Sequence, residues 1–100
     1  MRESDVEKYL VARVEAHGGT CEKFSSPAKR SVPDRLVCWG TLAPRLWANA
    51  SVAFVECKAT GEKPTPAQER DHARRRRMGF RVYVVDSYQS ITDFLNREGF

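Results

Sequence analysis

Apolar residues recur at helical spacing near the start of the chain. Val6, Leu10 and Val14, flanked by Tyr9 and Val11, form the stripe of a helix expected over residues 3–17. Ser4 suits its N-cap with Glu7 three positions on, and Gly18-Gly19 supplies the stop. The pattern then changes. Residues 20–24 read as a short strand, and Leu36, Val37, Cys38 and Trp39 carry a second over residues 34–39. Val52, Ala53, Phe54 and Val55 make an unbroken apolar run, the mark of a buried strand, which continues to residue 58. Helical chemistry returns at Thr65, an N-cap followed by Pro66 at the first helical position and Gln68 in capping-box register. This helix runs to about Met78, where Gly79 ends it. Residues 80–85 form a further strand, Asp86-Ser87 turns the chain, and residues 88–96 make an amphipathic helix with Ile91, Phe94 and Leu95 on its apolar side.

The stretches between these elements carry their own information. Residues 25–31 are polar, with Pro27, Lys29 and Arg30, and form a loop that brings basic side chains towards Pro33-Asp34. Residues 40–50 are broken by Gly40 and Pro44, yet hold Leu42, Leu46 and Trp47, more apolar surface than a solvated hairpin loop needs. That surface suits the core of the domain itself or a second copy of the chain. The resulting order is α-β-β-β-α-β-α. Three successive strands suggest a meander, and the helix before the fourth suggests a crossover with parallel pairing. The class is a small α/β domain over residues 1–100.

Composition narrows the partners more than the fold. One hundred residues at 41% hydrophobic make one core with a small stability margin, and a net charge of +4 favours an anionic partner. Met1-Arg2-Glu3-Ser4-Asp5 lacks the apolar segment of a secretory signal, and no run is long enough to span a bilayer, so a cytoplasmic address is expected. Cys21, Cys38 and Cys57 fit neither a disulfide framework nor a zinc spacing and read as reduced core residues.

The candidate chemistry lies where two strands meet. Side chains alternate along a strand, so Glu56 and Lys58 share a face while Cys57 points away. Asp34 opens the preceding strand. If the two strands pair, Asp34 and Glu56 converge on one divalent cation with Lys58 beside it. A carboxylate and an ammonium at the end of a core strand are costly to bury unless paired or metal-bound. Phosphodiester cleavage needs such a set: hard oxygen ligands for Mg²⁺ or Mn²⁺ from carboxylates, a backbone carbonyl and waters, with positive charge against the phosphate. The Cys57 carbonyl is the natural third ligand, and Lys58 would orient water and stabilise the transition state. Carboxylates crowded together without a cation should hold protons more tightly. Each motif alone is weak, since an aspartate after proline is a common turn residue and Glu-x-Lys on an edge strand is usually a solvated pair. In order, on adjacent strands before a basic helix, they are much stronger.

Ser31-Val32-Pro33-Asp34-Arg35-Leu36, then Phe54-Val55-Glu56-Cys57-Lys58-Ala59, Thr65-Pro66-Ala67-Gln68 and Gly79-Phe80-Arg81-Val82 resemble the VRR-NUC branch of the PD-(D/E)XK nuclease superfamily. The resemblance covers nearly the whole chain. It implies a restriction-endonuclease-like αβββαβα core with a small mixed sheet flanked by helices. It also implies a Mg²⁺- or Mn²⁺-dependent endonuclease of phage or bacterial type. Such an enzyme acts as a homodimer on branched DNA such as four-way (Holliday) junctions, in repair, recombination or phage replication. By motif, Asp34, Glu56 and Lys58 are the catalytic aspartate, glutamate and lysine. Val32 stands where glycine often precedes Pro-Asp, and Cys57 where leucine or valine often sits; neither departure touches a chemical side chain.

The same resemblance implies a first-helix glutamate that holds metal directly or through water. Glu7 is favoured, Glu3 is the alternative one helical turn away, and Glu7 also fits a capping box with Ser4. Gln68 matches the glutamine that the family sets near the attacking water, with its own capping box as the competing use. Arg74-Arg75-Arg76-Arg77 suit the negative end of the helix dipole and wrap most of a turn, so they cannot all face DNA. Arg74 and Arg75, with Lys29, Arg30 and Lys23 from the loop side, are the candidate phosphate contacts. His72 reads as lying on the polar side of that helix, with no catalytic role, and Trp39 and Trp47 read as core or dimer contacts. The alternative function is a non-catalytic DNA-binding module of the same fold. The acidic pair argues against it, because a phosphate binder gains nothing from carboxylates near the backbone. A small interaction protein with a chance motif is the third class.

Overall fold

The structure is a computed structural model that describes residues 1–28, 31–40 and 50–100. Its elements follow the expected order: α1 (Glu3–Ala16), β1 (Thr20–Lys23), β2 (Arg35–Trp39), β3 (Ser51–Cys57), α2 (Pro66–Arg77), β4 (Arg81–Val85) and α3 (Tyr88–Arg97). The strands lie in the order β1-β2-β3-β4, antiparallel as far as β3 and parallel between β3 and β4. This is the mixed sheet of an αβββαβα core. The unbroken apolar run has its physical cause here, because β3 is a central strand with a layer on each face.

Alternation divides the strand residues between those layers. Ala53, Val55 and Cys57 of β3, with Val37 and Val85, join Val6, Leu10 and Val14 of α1 and Ile91, Phe94 and Leu95 of α3 in one buried cluster. Phe54 and Glu56 face the opposite way, towards α2: the Arg75 guanidinium lies 4.7 Å from the Phe54 ring centroid, and His72 touches Glu56. Trp39 packs 4.9 Å from Phe100, a core contact as expected, whereas Leu42, Leu46 and Trp47 fall outside the described residues. Cys21, Cys38 and Cys57 are free thiols. No helix among the described residues is long and apolar enough to cross a membrane.

Two helix starts contrast. α2 begins as its sequence predicts: the Gln68 N–H donates to Thr65 Oγ1 at 3.2 Å, and the Thr65 N–H donates to Gln68 Oε1 at 2.9 Å. The capping box of Ser4 with Glu7 does not form. α1 starts earlier, with Arg2 as N-cap, and the Arg2 N–H donates to Asp5 Oδ2 at 3.4 Å. Starting there sets Glu3 and Asp5 in the first turn, against the positive end of the helix dipole. Glu7 is thereby free of any capping duty. At the other end of α1, Gly18 turns the chain at φ +83°, and a Cβ on Gly19 would lie 3.0 Å from the Cys38 carbonyl oxygen, so the exit into β1 needs both glycines.

Candidate active site

The β2–β3 register pairs Arg35 with Val55. Carried one residue outward, it sets Asp34 opposite Glu56 at the rim of the sheet. The carboxyl group of Asp34 stands against that of Glu56, and Asp34 Oδ2 accepts the Cys57 N–H at 2.9 Å. Lys58 follows on the Glu56 face, as alternation requires, with Nζ 4.0 Å from Glu56 Oε2. Glu7 arrives from α1: its carboxylate lies within 4.8 Å of an Asp34 oxygen and of Cys57 Sγ, and Arg35 approaches Glu7 Oε2 at 3.7 Å.

Crowding shows in the electrostatics. Asp34 is pushed up to about 7, first by burial, then by its hydrogen bond with Glu56 and the charge of Glu56. The Cys57 N–H and Lys58 pull the other way without cancelling this. Glu3, one turn before Glu7, is also raised, by burial and then by Asp34. The Cys57 thiol is driven far above the ordinary thiol range by burial, then by Asp34 and Glu7. It sits beside the carboxylates as a protonated core group, not as a thiolate ligand.

The polar face of α2 differs from its sequence reading. His72 lies in the interior, 2% exposed, with Nε2 3.6 Å from Glu56 Oε1. Asp71, 1% exposed, accepts from Arg74 at 2.9 Å and from Arg75 at 2.8 Å. Arg75 is therefore turned inward, stacked between Phe54 and Phe24, while Arg74 stays about half-exposed. Arg76 donates to the Val82 carbonyl at 2.6 Å. Lys29 and Arg30 fall outside the described residues. Gln68, half-buried, lines a shallow cleft with Ser31, Thr65 and Ala67 while its amide oxygen serves the cap. The signal for the buried face was present but faint. α2 has no apolar stripe, so whichever side met the sheet had to bury polar residues, and the side that does carries Asp71, His72 and Arg75, spaced at i, i+1 and i+4.

An aspartate and a Glu-x-Lys on adjoining strand ends of a small mixed sheet, with an acidic helix beside them, define the PD-(D/E)XK class. The comparisons agree. A solved structure described as a VRR_NUC domain superposes with a TM-score of 0.78 at 36% identity, covering 98% of this chain and 97% of that one. A protein named "Putative nuclease p44" from Acyrthosiphon pisum secondary endosymbiont phage 1 is 49% identical over 87 residues, 87% of this chain and 85% of its own length. No family model matches the sequence. The chain belongs to the VRR_NUC family.

Proposed function

We propose that the protein is a nuclease that hydrolyses DNA phosphodiester bonds with Mg²⁺ or Mn²⁺, acting as a homodimer on branched substrates such as four-way junctions. One observation carries this reading. Two carboxyl groups from neighbouring strands crowd together at the sheet rim, Asp34 holds its proton up to about 7, and the basic groups nearest Glu56 stand off at 3.6 and 4.0 Å. A chain tuned only for stability would neutralise or separate such a pair. Oxygen donors of this kind suit a hard dication: Asp34 and Glu56, the Cys57 carbonyl, and Glu7, which lies within 4.8 Å of an Asp34 oxygen, directly or through water. An extended residue sends its N–H and C=O to the same side, so the Cys57 N–H on Asp34 supports a carbonyl turned the same way. When bound, the dication supplies positive charge against the phosphate and makes a nearby water more acidic.

The remaining steps fall to the chain. The Cys57 N–H fixes Asp34, Arg35 steadies Glu7, and the Lys58 ammonium orients the attacking water and offsets charge developing on the phosphoryl oxygens. Gln68 lies near that water. Lys29, Arg30 and Arg74 contact backbone phosphates, while Arg75 serves by fastening α2 to the sheet. A homodimer offers two sites to opposed strands of a junction. The test is cleavage of linear, flapped, nicked and four-way DNA with Mg²⁺ and again with EDTA. Cutting is expected only with the cation and best on branched forms. Salt-sensitive binding to all of them without any cutting would replace this reading with a DNA-binding module.

A further inference from the structure

We infer that His72 is a positioning residue for Glu56: its Nε2–H donates to Glu56 Oε1 and fixes which way the carboxylate faces. The two atoms lie 3.6 Å apart, and each is buried with no hydrogen-bond partner. Buried polar atoms are nearly always satisfied, and leaving one unpaired carries its full desolvation penalty. Two orphans facing one another satisfy both costs with one bond. The separation exceeds a good hydrogen bond by a few tenths of an ångström, a gap that a small rotation of either side chain closes.

His72 is held to this task from below. The next residue towards the N-terminus, Asp71, is locked by Arg74 and Arg75, and Arg75 is stacked on Phe54, the residue two before Glu56 on the same strand face. Helix and strand are thus pinned together one turn from the contact, so the imidazole has little freedom to turn away. Its partner has two distinct sides. Oε1 looks into α2 towards His72, whereas Oε2 looks along the rim towards Lys58. A carboxylate fixed at one oxygen presents the other without a search, the arrangement by which residues behind a ligand raise its affinity for a cation. The part of this inference that concerns a cation rests on the function proposed above; the contact itself does not.

The experiment has two arms. In the metal-free wild-type protein, long-range ¹H–¹⁵N spectra read the His72 tautomer, which should carry its proton on Nε2, and added Mg²⁺ should shift that proton's resonance. In the second arm, calorimetry measures Mn²⁺ binding to folded His72→Leu and His72→Gln. The leucine variant should bind about tenfold more weakly, while the glutamine variant, whose amide N–H reaches the same place, should stay within about threefold of wild type. A bare Nε2 overturns the proposal, as does a leucine variant that binds like wild type. Equal losses in both variants also overturn it, since that pattern reports packing alone. Should the leucine variant not fold, the tautomer and the glutamine variant decide. Wild-type protein that binds no Mn²⁺ sinks the proposed function, while the tautomer still judges the contact.

Discussion

Two carboxylates in this molecule are equally hidden from water, and the chain treats them in opposite ways. Glu56 and Asp71 are each 1% exposed, and their surroundings meet where α2 lies on β3. Asp71 is completed. Burial alone would raise its proton affinity, but the Arg75 and Arg74 guanidinium groups at 2.8 and 2.9 Å hold it below the ordinary carboxylate range. Glu56 is left incomplete. Its basic neighbours stand off at 3.6 and 4.0 Å, no guanidinium closes on it, and a second carboxyl group leans on it. Burial therefore does not separate a structural acid from a functional one; satisfaction does. The first is a clamp finished within the fold, and the second stands in a crowded acidic pair that the proposed cation would relieve.

The strongest way to break this contrast is to neutralise each acid in turn. Glu56→Gln should lower cleavage by about a thousandfold, with Lys58→Ala close behind, because on the proposed reading the first weakens the cation site and the second removes the charge set against the phosphate. The glutamine variant should remain folded and melt no lower than wild type in EDTA, since it relieves the strain with Asp34. Asp71→Asn should do the reverse, costing about 3 kcal/mol by leaving two guanidinium groups against an uncharged partner. Cleavage rates and urea midpoints on the three variants check this. A Glu56→Gln protein that unfolds while Asp71→Asn stands unchanged would invert the whole contrast.

A smaller effect comes from pH. The folded Asp34 sits at about 7, against an ordinary value of 3.8. Because the folded state holds the proton more tightly, the stability linked to this group is fully present below about pH 4 and is lost as pH rises through about 7. Asp34 is half-exposed, so after discounting for solvent the loss is on the order of 2 kcal/mol. It should appear as the difference between urea midpoints of wild type and Asp34→Asn in EDTA. A difference that stays flat across that window would show that the pair carries no imbalance.

How much of this was readable beforehand follows from the same physics. The switch between helical and strand periods, with Gly18-Gly19, Thr65-Pro66 and Asp86-Ser87 as punctuation, is local information, and the element order follows from it. Asp34, Glu56 and Lys58 were legible for the same reason, since alternation and strand adjacency fix their sides. The underside of α2 was not. Hydropathy reads Asp71, His72 and Arg75 as solvent-facing, and only the tertiary partners, Phe24 and Phe54 for Arg75 and Glu56 for His72, turn them inward. The start of α1 failed on a finer scale. Two overlapping boxes compete there, Arg2 with Asp5 and Ser4 with Glu7, and the earlier one gains an extra half-turn of helix.

Gln68 offers the finest discrimination, because its two polar atoms belong to different accounts of it. The cap uses only the amide oxygen, which accepts the Thr65 N–H at 2.9 Å; the amide nitrogen takes no part in it. A glutamate at this position keeps the acceptor and suits the positive end of the helix dipole, but it has no N–H to offer water or phosphate. Gln68→Ala should lower stability by about 0.5–1 kcal/mol through the lost cap, whereas Gln68→Glu should leave the melt unchanged. If the nitrogen serves the reaction, Gln68→Glu should still cut about tenfold more slowly, roughly the worth of one positioned donor to a charged group. Equal cleavage by Gln68→Glu and wild type would assign the residue wholly to the helix start, alongside Asp71 among the groups that build the fold.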